Sequence, residues 1–188
     1  MLYSLAETGG IIMEPVFSNA CKYTLDTLTE TERASVSADY KAYCTISAAV
    51  FAALTVFFAY QRQLPMAAVL AVLAILMAAM IFIKTSVSAK KSYETSISKY
   101  GREYETRLFF YDEKIIGKNI VTGKAFETDY GRIKAVTETK HLYVLKTDIN
   151  MSVVADKNGF ISDNGSEFIG FLKEKCPSAK IRIVSEGK

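Results

Sequence analysis

Two long apolar stretches, residues 43–60 and 64–83, are separated by only three residues, and neither contains a charged side chain. At 1.5 Å per residue they would form helices of roughly 27–30 Å, about the thickness of the hydrocarbon core of a bilayer. Helices joined by so short a connection must run antiparallel. The sequence therefore predicts a transmembrane helical hairpin over residues 43–83, with both flanking segments on one side of the membrane.

A buried helical hairpin inside a soluble protein is the alternative interpretation. Residues 67–83 carry no polar side chain on any face, whereas a helix of a small soluble domain normally keeps a polar face. The first helix is slightly more polar, but its hydroxyl groups can bond back to helix carbonyls and its alanines allow close helix packing in lipid. These features favour the membrane.

Basic residues near the membrane ends predict the orientation. Five follow the second helix, two lie shortly before the first, and the turn carries only Arg62. Because basic residues favour the cytoplasmic side, both termini are predicted to be cytoplasmic. Residues 1–17 lack the features of a secretory signal, so the first helix would direct insertion. We leave two start sites open, Met1 and Met13, since Gly9 and Gly10 can be encoded as a ribosome-binding sequence and residues 1–12 would then not be translated.

Charge and cysteine content indicate which partners and which cellular compartment suit the protein. Residues 1–63 hold 4 basic and 6 acidic side chains, whereas residues 84–188 hold 19 and 14. The mildly basic second part suits a domain beside an anionic leaflet, but it is too weakly basic to predict nucleic-acid binding. Cys21, Cys44 and Cys176 are widely separated, which indicates free thiols in a reducing compartment.

The segments that flank the hairpin have their own patterns. Residues 84–104 are predicted to extend the second helix into the cytoplasm, with Tyr93, Ile97, Tyr100 and Tyr104 on one face. Packing of this face against the protein's own following domain is preferred, and a homo-oligomer is the alternative. The N-terminal segment, residues 1–42, is predicted to contain a strand at 20–25 and a short helix at 29–42, with Thr29 as its cap. That strand could join the edge of a C-terminal sheet.

Beyond residue 104 the apolar pattern changes from helical to alternating. Segments rich in β-branched and aromatic residues predict strands at 106–111, 114–116, 120–128, 133–138, 142–147 and 151–155. Residues 164–175 predict a closing helix, with Asp163 as its N-cap and Pro177 as its stop. Neighbouring strands should pair as an antiparallel meander. The predicted fold class is α+β: the hairpin plus a small antiparallel β-barrel or bent sheet of the pleckstrin-homology (PH) type at residues 105–177, capped by the helix, with residues 178–188 as a tail or edge strand.

Several features of residues 109–175 follow one another in a recognisable order. They are the aromatic strand end at 109–113, Thr128-Asp129-Tyr130, Ile133, Val136, Glu138-Thr139, Leu142, Leu145, the apolar strand at 151–154, Phe160, Phe168 and Leu172. In this order they resemble the YcxB-like C-terminal domain found behind two membrane helices in bacterial proteins. The turn at 155–160 departs from the family pattern, which usually has proline and lysine before the aromatic residue. The resemblance implies a bacterial cell-membrane protein with a PH-like domain, and it implies no established activity.

The residues suggest no catalytic chemistry. The single histidine, His141, and the scattered cysteines lack the spacing of a metal site. Residues 117–124 resemble a phosphate-binding loop only superficially, because alanine follows the lysine where serine or threonine is needed. We therefore predict no enzyme activity, no cofactor and no metal.

A membrane-anchored adaptor or regulator is the predicted function, with its PH-like domain presented to a protein partner or to the membrane surface. The alternative is an accessory subunit of a membrane enzyme or of an export or transport complex. The lipid bilayer and an unidentified protein are the predicted partners, and nucleic acid is not. Six basic residues are the candidate headgroup contacts: Lys84, Lys90, Lys91, Lys114, Lys118 and Lys124.

Overall fold

The computed structural model describes residues 14–161 and 165–183. The alternative start at Met13 and the expected cap Asp163 lie outside the described residues. The chain divides into two compact units. One comprises Met1–Thr24 together with Tyr100–Lys188, and we call it the sheet unit; the other, Leu25–Lys99, is the helical unit.

The helical unit consists of three helices, α1 (Leu25–Ser35), α2 (Ala38–Tyr60) and α3, whose 37 residues (Leu64–Tyr100) continue into the sheet unit at Tyr100. The Ser37 side chain caps α2 by accepting a hydrogen bond from the Tyr40 N–H. The ammonium group of Lys84 lies 4.0 Å from the centre of the Tyr40 ring. Because Tyr40 is near the start of α2 and Lys84 is well along α3, this contact shows that the two helices run antiparallel.

The burial pattern of α2 and α3 is the reverse of that in a soluble core. Their fully buried residues are small, as at Cys44 and Ala67, while large apolar side chains such as Ile46, Val56 and Ile75 are exposed. Of the most apolar 18-residue stretch of each helix, only 6% is buried. Both helices are long and apolar enough to cross a membrane, and the interpretation as a buried soluble hairpin finds no support in this pattern.

Two helix boundaries on the flanks of the hairpin differ from the predicted ones. The predicted helix at 29–42 is divided between α1 and the start of α2, and Thr29 is no cap, because its hydroxyl donates to the Leu25 carbonyl inside α1 (2.8 Å). At its far end α3 stops at Tyr100, since Gly101 adopts a positive φ of 70° that terminates the helix. Tyr104 is therefore not on the helical face predicted for it.

Two four-stranded sheets form the sheet unit. Sheet A is antiparallel in the order β1 (Phe17–Lys22), β2 (Glu105–Phe110), β3 (Lys114–Asn119), β4 (Ala125–Asp129). Sheet B has the order β7 (Ser152–Asp156), β6 (Leu142–Thr147), β5 (Ile133–Glu138), β8 (Lys180–Ile183). Strand β8 pairs parallel with β5, and the other pairs in sheet B are antiparallel. The fold is thus α+β, and the described residues form no closed barrel.

Helix α4 (Phe168–Lys175) follows a short 3-10 turn, Gly165–Glu167. Its Phe168 and Leu172 are buried in one core with residues from both sheets, such as Phe110 of β2 and Leu145 of β6. Phe168 makes edge-on or tilted ring contacts with Phe17, Phe110, Tyr143 and Phe160, with ring centres 4.7–5.3 Å apart. This helix joins the two sheets through a shared aromatic core.

The turn between β3 and β4 lies further along the chain than predicted. Strand β3 continues through Asn119, whose side-chain oxygen accepts hydrogen bonds from the N–H groups of Val121 and Thr122. Gly123 has a φ of 70°, which an L-residue rarely adopts. The predicted strand at 120–128 therefore starts only at Ala125, because the first half of that segment forms the turn. Strand β1 differs in the other direction, because it starts at Phe17, before the strand predicted at 20–25.

Strand β1 connects the two sheets. On one side it pairs with β2; on the other, the Ala20 N–H donates to the Gly159 carbonyl (2.8 Å) and the Ile161 N–H donates to the Ser18 carbonyl (3.0 Å). Asn19 is 0% exposed, and its amide bonds both backbone groups of Asp156, donating to the carbonyl (2.7 Å) and accepting from the N–H (3.0 Å). Because β1 precedes the helical unit and β2 follows it, the sheet unit is assembled from both flanks of that unit.

Gly159→Ala is expected to destabilise the sheet unit by about 1–3 kcal/mol, as overpacking of a tight contact does. A Cβ atom at Gly159 would lie 2.1 Å from the Ala20 carbonyl oxygen, a backbone atom that can move only if β1 moves. Gly170→Ala on α4 is the matched control, since a Cβ there meets nothing within 4 Å and alanine favours a helix. Chemical denaturation of the purified chain compares the two. Equal stability of both variants would contradict this close approach of β1.

Candidate functional site

The chain passes between the two units at one end of sheet A. Strand β1 ends at Lys22 just before the helical unit, and β2 begins at Glu105 shortly after α3 ends. The Tyr23 N–H donates to the Tyr104 carbonyl (3.0 Å), and the two rings stack with centres 4.4 Å apart. The turn between β3 and β4 lies at the same end because the strands are antiparallel. We call this the junction end of sheet A.

Three basic side chains gather on the outer face of sheet A at its junction end. Register pairs Arg107 of β2 directly with Lys118 of β3, and the outer strands place Ala20 and Ala125 beside them. Residues paired in this way have Cα atoms about 5.5 Å apart. Lys22 lies in the next row, opposite Glu105. We call Lys22, Arg107 and Lys118 the basic patch.

The basic patch has a net positive charge. Arg107 and Lys118 face each other across the strands, an arrangement that costs stability because the charges repel. The Glu105 carboxylate is 3.6 Å from Nε of Arg107, and the Arg107 side chain stays 48% exposed. The Glu105 carboxylate thus offsets part of the positive charge of the basic patch, and about half of the Arg107 side chain stays open to solvent.

The polarity and charge of the outer face of sheet A change along the strands. Next to the basic patch, Phe109 and Ile116 pair across β2 and β3, and both are half-buried. Glu127 of β4 lies beside Ile116 in the same row, and Asp129 lies opposite Lys114 in the row at the far end. Nζ of Lys114 is 3.1 Å from the Glu127 carboxylate. The face is therefore basic at the junction end, it has an apolar pair in the middle, and the β4 side of the middle and far rows carries two carboxylates and one lysine.

The structure does not bring the six predicted lysines together. Lys118 belongs to the basic patch, Lys124 lies at the same end in the turn between β3 and β4, and Lys114 lies at the far end. The other three are in the helical unit, where Lys84 covers the Tyr40 ring, Lys90 is 3.8 Å from the Glu94 carboxylate, and Lys91 is exposed. Sequence reasoning missed Lys22 and Arg107, because only the pairing register places them beside Lys118.

Ionisable groups elsewhere in the sheet unit make structural contacts. Nζ of Lys157 lies 2.7 Å from the Glu138 carboxylate and 5.1 Å from the centre of the Tyr143 ring, which joins the end of β7 to β5 and β6. Lys175 of α4 lies 2.6 Å from the Asp112 carboxylate, and this hydrogen bond raises the lysine pKa. Burial raises the pKa of the Tyr104 hydroxyl to about 12. No cluster that could hold a metal ion occurs among the residues that the structure describes.

The thiols of Cys21 and Cys176 are expected to be unreactive in the folded chain. Burial is the main cause that raises the pKa of Cys21 to about 12, and it raises that of Cys176 to about 11. Because the thiolate is the nucleophile, iodoacetamide should alkylate both at least about a hundredfold more slowly in the native than in the denatured chain. Mass spectrometry of peptides after timed alkylation measures this ratio. Rapid native labelling of Cys21 would contradict the burial of this β1 side chain.

Comparison with known proteins yields little. No model of a protein family matches the chain, and no curated protein matches it. The crystal structure of the C-terminal domain of an unknown protein from Leishmania infantum is similar over 47% of this chain and 97% of that chain, with 12% sequence identity and a TM-score of 0.32. A likeness this weak carries no functional argument, so function has to be inferred from the chain's own residues.

Proposed function

We propose that this chain is a membrane-anchored, non-catalytic adaptor or regulator that presents its sheet unit to a protein partner. The pairing of β1 with β2 is the observation that carries the proposal. These strands lie on opposite flanks of the helical unit, so both flanks must be on the same side of any membrane that the unit crosses. Two crossings satisfy this requirement and one does not.

The reversed burial of α2 and α3 supports insertion of the hairpin in the bilayer. Large exposed side chains such as Val56 and Ile75 would face lipid, while the small Cys44 and Ala67 lie buried. Lys84, Lys90 and Lys91 follow the apolar part of α3 within the next turns, where lysines interact with anionic headgroups. We propose that both termini are cytoplasmic in a bacterial cell membrane, as the excess of basic residues on the flanks favours.

The sheet unit supports a PH-like, YcxB-like assignment as the finer proposal. Consecutive strands form each sheet, the two sheets share one core, and α4 closes it after the last antiparallel strand. Non-catalytic function is proposed because the described ionisable groups act as structural contacts. The junction end and the outer face of sheet A remain available for binding.

An accessory subunit of a membrane complex is the second candidate. Small side chains on α2 are exposed, among them Ala42, Ala49 and Ala53. Such residues allow close approach of another transmembrane helix. This function would require a larger membrane protein packed against α2.

Affinity purification from native membranes in mild detergent, followed by mass spectrometry, tests these proposals. The adaptor function predicts a reproducible partner with a cytoplasmic part that remains bound to the chain. A stoichiometric complex of membrane subunits would instead favour the second candidate. Recovery of the chain alone, under conditions that preserve other membrane complexes, would contradict both.

A further inference from the structure

We propose that the outer face of sheet A binds an acidic, extended segment of the protein partner. Carboxylates of the segment would bind the basic patch, and apolar side chains next to them would pack on Phe109 and Ile116. The inference rests on the proposed adaptor function, because it assigns the surface that such a partner would use.

Charge complementarity is the first argument. Arg107 and Lys118 are directly paired on neighbouring strands, with small alanines on either side, and the described contacts supply only the Glu105 carboxylate to Arg107. An incoming carboxylate would relieve the repulsion between the two cations and bind both. The alanines leave the two charged groups accessible from solvent.

Spacing is the second argument. Along β2, Arg107 and Phe109 are two residues apart on the same face, a distance of about 6.8 Å. Alternate side chains of an extended peptide have the same spacing. A peptide with a carboxylate at one position and an apolar residue two positions later can therefore contact both features at once.

The carboxylates of β4 give the segment a direction. Glu127 lies beside Ile116, Asp129 lies in the row beyond it on the same face, and Lys114 offsets one of these two negative charges. The remaining negative charge would repel further carboxylates, so the acidic part of the segment must lie over the junction end. A peptide with the opposite polarity would place its charge next to these carboxylates and bind less well.

A peptide fits this surface better than a lipid headgroup does. Phe109 and Ile116 lie beside the basic patch, at the spacing of alternate side chains of an extended peptide. A phosphate headgroup would bind the cations but would leave this apolar pair uncovered.

A binding assay with the full chain in phosphatidylcholine nanodiscs tests the proposal. The probe is a fluorescent peptide in which leucine follows glutamate by two positions, so that both lie on one face of the extended chain, and a neutral half follows; the same peptide with lysine in place of glutamate is the negative probe. Arg107→Glu combined with Lys118→Glu should weaken binding of the acidic probe by about tenfold or more. Lys134→Glu with Lys180→Glu, which makes the same charge change at exposed positions of sheet B, should leave it within about twofold.

Three results would overturn the proposal. They are no saturable binding of the acidic probe, equal loss of binding in both double variants, and binding of glycerol phosphate at the patch in place of the peptide, which would make it a headgroup site. Co-purification of the partner with the Arg107/Lys118 variant distinguishes an error in the assigned surface from an error in the adaptor function. If the partner is retained by that variant, the adaptor stands and the surface is wrong; if the unmodified chain has no partner, the adaptor itself fails.

Discussion

Phe168→Ala is expected to lower the free energy of unfolding of the sheet unit by about 3–5 kcal/mol, the usual cost of removing a large buried aromatic side chain. Phe168 is 0% exposed and lies against rings from β1, β2 and β6. Its removal leaves a cavity bordered by both sheets and α4, and backbone hydrogen bonds keep the strands from closing that cavity. Helix α4 should therefore lose its attachment before the strands separate.

Phe109→Ala is the control for this variant, because the residue type and the unit are the same but the side chain is half-buried on the outer face. It should cost about 1 kcal/mol, since less apolar surface is lost. Tyrosine fluorescence of the full chain in detergent, followed through a denaturant series, measures both. A cost for Phe168→Ala no larger than that of the control would contradict the shared aromatic core.

Asn19→Leu is expected to cost about 2–4 kcal/mol, because leucine has nearly the same size but leaves the Asp156 N–H without a partner and removes one of the two hydrogen bonds that the Asp156 carbonyl accepts. Both groups belong to Asp156, and the Asn19 amide bonds each of them. The lost hydrogen bonds are those that join β1 to the end of β7. Amide exchange of residues in β1 should rise more than that of β5 or β6.

Asn158→Leu is the matched control, since Asn158 lies two residues from Asp156 and is exposed. Its stability should stay within about 0.5 kcal/mol of the unmodified chain, as for most surface substitutions. Thermal unfolding and hydrogen exchange of the two variants in the same detergent give the comparison. If Asn19→Leu is as stable as Asn158→Leu, the side chain does not link the two sheets.

Periodicity identified the elements whose neighbours are close in the chain. Strands β5 and β6 occupy the predicted ranges 133–138 and 142–147, and the apolar helices lie where the two apolar stretches are. The closing helix was also expected, although α4 proper begins only at Phe168 after a 3-10 turn. These patterns are local, so one sequence is enough to detect them.

Other features depend on partners far away in the chain. The pairing of β8 with β5 is parallel and bridges a long separation, which short turns and alternation do not predict. The β3–β4 turn lies later in the chain than predicted, although residues 120–128 have the pattern of a strand. The Asn119 side chain stabilises the turn there by accepting hydrogen bonds from the N–H groups of Val121 and Thr122. The basic patch likewise needs the register of three strands, two of which are separated by the whole helical unit.

An engineered disulfide between β1 and β2 tests the central claim, that both flanks of the hairpin form one unit on one side of the membrane. Ser18 and Phe109 are register partners, so Ser18→Cys with Phe109→Cys places two thiols within bonding reach in a chain whose native cysteines are replaced by alanine. Ser18→Cys with Ile116→Cys is the control, because Ile116 lies one strand further away.

Mild oxidation of native membranes, followed by cyanogen bromide cleavage, gives the result. Met66, Met77 and Met80 lie between the two engineered cysteines, so cleavage separates them unless a disulfide holds the fragments together. We expect linked fragments for the Ser18/Phe109 pair that separate on reduction, and separate fragments for the control. Unlinked fragments for the Ser18/Phe109 pair under conditions that oxidise other membrane thiols would contradict a shared sheet and with it the two-crossing anchor.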